Sequence, residues 1–77
     1  AAGGSAPAVF NAANEVAVDA FLAKELSFPR ITEVIEATLD RLPAREIQSL
    51  EDVIEADRAA RVQAAALLKP RTLVGAA

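Results

Sequence analysis

Four prolines constrain this chain more than any other feature. Pro7, Pro29, Pro43 and Pro70 divide 77 residues into segments of helical length. Proline is tolerated in the first turn of a helix, where its missing N–H is not needed, and deeper in it breaks the hydrogen-bond ladder. Ser5-Ala6-Pro7 therefore opens a first helix over about residues 6–25, with Ser5 placed to cap it. Ser27-Phe28-Pro29 interrupts the chain and starts a second helix over 29–42. On it Ile31, Val34, Ile35, Leu39 and Leu42 recur at helical spacing, with Glu33, Glu36, Asp40 and Arg41 between them. Pro43 ends this helix.

The third helix, expected over 50–69, opens on Ser49-Leu50-Glu51-Asp52. The Ser49 hydroxyl can accept an orphan N–H, and Asp52, three residues on, suits the positive end of the helix dipole. This is a capping box with Asp in place of Glu or Gln. Pro70 stops the helix. Residues 1–5 read as a flexible lead-in and 70–77 as a disordered tail. No segment alternates as a strand does.

An all-α fold follows, a small antiparallel up-down bundle of three helices occupying residues 6–69 as one domain. Hydrophobic residues make up 53%, yet nearly half of them are alanine, and the aromatics are only Phe10, Phe21 and Phe28. Alanine buries little area, so the core must come from close approach of helix backbones rather than from large side chains.

Composition removes several function classes. There is no His, Cys, Tyr, Trp or Met. Without imidazole or thiol the chain has no ready general base near neutral pH and no soft metal ligand. A net charge of −3 with eight dispersed Lys and Arg argues against nucleic-acid binding. No apolar run approaches the roughly 18–20 residues that span a bilayer, and AAGGSAP lacks the charged start of a signal peptide. Zero cysteines fit a cytoplasmic location. The absence of an initiator Met implies processing or excision from something longer.

On the first helix, Asn11, Asn14, Glu15 and Asp19 form one polar stripe, while apolar residues cover the rest of the circumference. Two short helices cannot bury such a helix on all sides. The stripe is either a solvated face or a set of hydrogen-bonding groups for protein outside this chain, for which Asn11, Asn14 and Glu15 are the candidate contacts. Asp57 falls among Leu50, Val53, Ala60, Ala64 and Leu67, with Arg61 one turn later; an intrahelical ion pair accounts for both charges. Glu33, Glu36 and Asp40 lie on the solvated side of a regular helix, without the loop geometry of a cation site. Gly3-Gly4 has neither the lysine nor the spacing of a phosphate loop. Serine and threonine here have no base to activate them.

Taken together, GGSAPAVFNAANEVAVDAFL, SFPRI and SLEDVIEADRAAR resemble the C-terminal helical domain of the 1-deoxy-D-xylulose 5-phosphate reductoisomerase family over residues 3–68. NAANEVAV at Asn11–Val18, with AFL at Ala20–Leu22, is one anchor. SLEDV at Ser49–Val53 with EADR at Glu55–Arg58 is the second, in the proper order. The resemblance implies a bacterial or plastid parent enzyme of non-mevalonate isoprenoid biosynthesis. Such an enzyme is an oxidoreductase that converts 1-deoxy-D-xylulose 5-phosphate to 2-C-methyl-D-erythritol 4-phosphate with NADPH and Mg²⁺ or Mn²⁺, and works as a homodimer. It also implies that the catalytic, cofactor-binding and metal-binding residues lie in the parent's other domains, so none is carried onto this chain, which is expected to be inactive alone. The family bundle has four helices, and the one expected before Ala1 is missing here. An apolar groove left open in this way favours self-association.

The alternative is an autonomous helical protein-interaction module; an acyl-carrier-like protein is a weaker candidate. Ser49-Leu50 imitates the phosphopantetheine attachment motif, but Gln48 stands where that motif has Asp, and capping explains Ser49 better.

Overall fold

The computed structural model describes residues 4–68. Three α-helices make it up: α1 (Ala6–Leu22), α2 (Phe28–Arg41) and α3 (Leu50–Leu68). Among the described residues there is no strand. The lead-in before Gly4, the tail 70–77 and the expected end of α3 at Lys69 lie outside the described residues.

Two buried clusters fix the helix directions. At one end Val9 and Ala12 of α1 meet Ala60 of α3, with Leu42 and Ala56 packed alongside. At the other end Ala13 and Ala17 meet Ala64, Val34 and Ile35, with Leu26, Ile31 and Leu68 around them. Rising residue numbers on α1 thus accompany rising numbers on α3 and falling numbers on α2. Consecutive helices are antiparallel, and α1 and α3 run parallel.

The expectation of an alanine-dependent core holds at particular positions. Ala12, Ala13, Ala17, Ala60 and Ala64 are all fully buried. With methyl groups at the contact, the backbones of α1 and α3 approach closely, which is how short helices with few large side chains exclude water. α2 supplies the bulk: Val34 and Ile35 are buried, and Ile31, Leu39 and Leu42 are half-buried. Thr38 is also fully buried, and its hydroxyl donates to the Val34 carbonyl one turn back at 2.8 Å, so no polar group is stranded.

α1 ends three residues earlier than the sequence suggests. Lys24 adopts a left-handed backbone conformation with φ 64°. The Glu25 N–H donates to the Ala20 carbonyl at 2.8 Å, and the Lys24 N–H donates to the Phe21 carbonyl at 3.0 Å. This is a Schellman stop, built on lysine where glycine is usual, and it turns the chain so that Leu26 drops against the core. The following corner is covered by Phe21 against Phe28, edge to face with ring centroids 5.6 Å apart. α2 begins at Phe28, one residue before the expected start, with Ser27 extended and Pro29 in the first turn.

Ser5 departs from its expected role. It sits at the cap position of α1, but its backbone is helical and its side chain makes no capping hydrogen bond. Instead it is buried and tied to the α2–α3 connection. Its N–H donates to the Arg45 carbonyl at 2.9 Å, and its Oγ accepts from the Arg45 N–H at 2.8 Å. Tertiary pairing has taken the hydroxyl away from local capping.

Candidate functional site: the outward face of α1

Burial divides α1 into two faces. Val9, Ala12, Ala13, Ala17 and Ala20 point inward. At about 100° per residue, Pro7, Asn11, Asn14, Glu15, Val18 and Leu22 fall on the opposite side, with Phe10 and Phe21 towards one edge and Asp19 at the other. Phe10 is 46% exposed, Phe21 36% and Leu22 69%. Asn11 is exposed, and Asn14 and Val18 are half-buried. The face carries apolar side chains, two amides and, beside them, the exposed Glu15 carboxylate. Sequence reasoning found the amides but missed their apolar companions; the signal was present, since Pro7, Asn11, Asn14, Val18 and Phe21 recur at alternating intervals of four and three residues, the spacing of a helix-packing seam.

The predicted contact residues do not act as one group. Glu15 is committed inside the chain: its Oε1 accepts from Arg61 Nη2 of α3 at 2.7 Å. Arg61 also donates through Nε to Asp57 Oδ1 at 2.6 Å. The guanidinium thus lies between two carboxylates, and the hydrogen bond to Asp57, then that to Glu15, raises its pKa above the ordinary arginine value. Asn11 and Asn14 make no side-chain hydrogen bond among the described residues. Of the three candidates, these two alone remain available to something outside.

The start of α3 is held by a reciprocal pair. The Asp52 N–H donates to Ser49 Oγ at 3.2 Å, and Asp52 Oδ2 accepts from the Gln48 N–H at 2.9 Å. The return bond reaches residue 48 rather than the cap residue itself. Serine 49 is therefore occupied in ending the connection and starting the helix. Just beyond it, Leu50 is 70% and Ile54 58% exposed, so the apolar side of α3 is covered only in its second half.

An open groove of about 590 Å³ lies between the start of α1, the α2–α3 connection and the start of α3, over Val9, Leu42 and Ala56. Of its polar side chains, Ser5 is committed to Arg45, Asp52 to Gln48 and Glu55 to Arg58, while the side chains of Arg45, Glu46 and Gln48 also line it. On α2, Glu33 is paired with Arg30 at 2.7 Å, and Glu36 and Asp40 are exposed. Among the described residues no three carboxylates converge as a metal site would require.

A family model described as the DXP reductoisomerase C-terminal domain matches residues 1–63. The chain belongs to this family. The 1-deoxy-D-xylulose 5-phosphate reductoisomerase of Paraburkholderia phytofirmans is 57% identical over 65 residues, which are 84% of this chain and 16% of that protein. The Zymomonas mobilis reductoisomerase is 52% identical over 67 residues, 87% of this chain and 17% of its own length. A solved structure of the Zymomonas mobilis enzyme in complex with NADPH superposes with a TM-score of 0.83 at 51% identity, over 88% of this chain and 18% of that one. The chain thus spans between 16% and 18% of the length of these relatives.

These matches favour the reductoisomerase domain over the autonomous adaptor and the acyl-carrier-like reading. The carboxylates pair with arginines or stand apart, and Gly4 packs against the Arg45 carbonyl instead of opening a phosphate loop. Among the described residues no helix is long and apolar enough to cross a membrane.

Proposed function

We propose that this chain is the C-terminal structural domain of a cytoplasmic NADPH-dependent reductoisomerase that converts 1-deoxy-D-xylulose 5-phosphate to 2-C-methyl-D-erythritol 4-phosphate in isoprenoid biosynthesis. The observation that carries the reading is the superposition on the Zymomonas mobilis enzyme at 51% identity over 88% of this chain. NADPH and Mg²⁺ or Mn²⁺ serve the homodimeric parent and are held by its other domains, so the 77-residue chain is inactive alone.

Its work is mechanical. The outward face of α1 braces the catalytic domain of the same polypeptide. Phe10, Val18 and Phe21 supply apolar contact, and the Asn11 and Asn14 amides supply fixed hydrogen bonds.

The test uses a full-length reductoisomerase carrying this domain. Replacing Asn11 and Asn14 together with Ala is expected to lower its melting temperature by several degrees, with a fall in turnover as the catalytic domain loses its support. Unchanged melting temperature together with unchanged turnover defeats the bracing role.

A further inference from the structure

We draw no further inference here: the strongest candidate, the open groove over Val9, Leu42 and Ala56 between the start of α1, the α2–α3 connection and the start of α3, carries nothing, because nothing in the structure shows what covers it.

Discussion

Ser5 and Arg45, forty residues apart, hold each other through two hydrogen bonds of 2.9 Å and 2.8 Å. They tie the first turn of α1 to the α2–α3 connection. Ser5→Ala removes the acceptor and leaves the part-buried Arg45 N–H without its partner. It is expected to cost about 1–2 kcal/mol in urea unfolding. A loss no larger than that of an exposed serine replacement would show that water satisfies the amide.

Gly4 makes this contact possible. It has φ 47°, and an ideal Cβ there would fall on the Arg45 carbonyl oxygen, which is backbone and cannot rotate away. Gly4→Ala is expected to destabilise more than Ser5→Ala, by about 2 kcal/mol or more. The two changes should be less than additive, because both break the same junction.

Lys24→Gly is expected to stabilise the chain, by about 0.5–1 kcal/mol. Lysine with φ 64° strains the backbone where glycine does not, and this gain exceeds the added freedom of the unfolded state. Thermal melting checks the sign. A lower midpoint would mean that the Lys24 side chain contributes more than its backbone costs.

The alanine seam between α1 and α3 leaves no room. Ala64→Leu is expected to cost about 1–3 kcal/mol through overpacking against Ala13 and Ala17. Ala65→Leu, one residue on and exposed, is expected to be near neutral. Chemical denaturation of the two variants separates packing from helix propensity.

The Glu15–Arg61 bridge joins α1 to α3 in the open, with side chains 61% and 43% exposed. Glu15→Gln is expected to lower the melting midpoint slightly at low salt and not at all near 1 M salt, where exposed charges are screened. A salt-independent loss would show that the side chain acts through packing.

Much of the fold was legible in the residues. Pro7, Pro29 and Pro43 lack an N–H that no context restores, so they mark helix limits locally. Ser49 and Asp52 act within one turn, and on α2 the Ile, Val and Leu residues point one way because charged residues fill the rest. The two amides of the candidate surface were legible for a similar reason, as the polar minority on an apolar helix.

The inward face of α1 was not legible. A helix apolar around most of its circumference has no phase in its pattern, so periodicity cannot choose between Ala13 and Phe10. The choice belongs to α3, whose Ala60 and Ala64 admit a methyl group and not a ring, and all three phenylalanines consequently lie on the surface. Long-range pairing likewise decided that Glu15 serves Arg61 and Ser5 serves Arg45. By itself, then, the sequence determined where helices begin and break, because those signals act over one turn. Which face each helix hides was decided by tertiary structure alone, because that depends on the size of side chains brought from elsewhere in the chain.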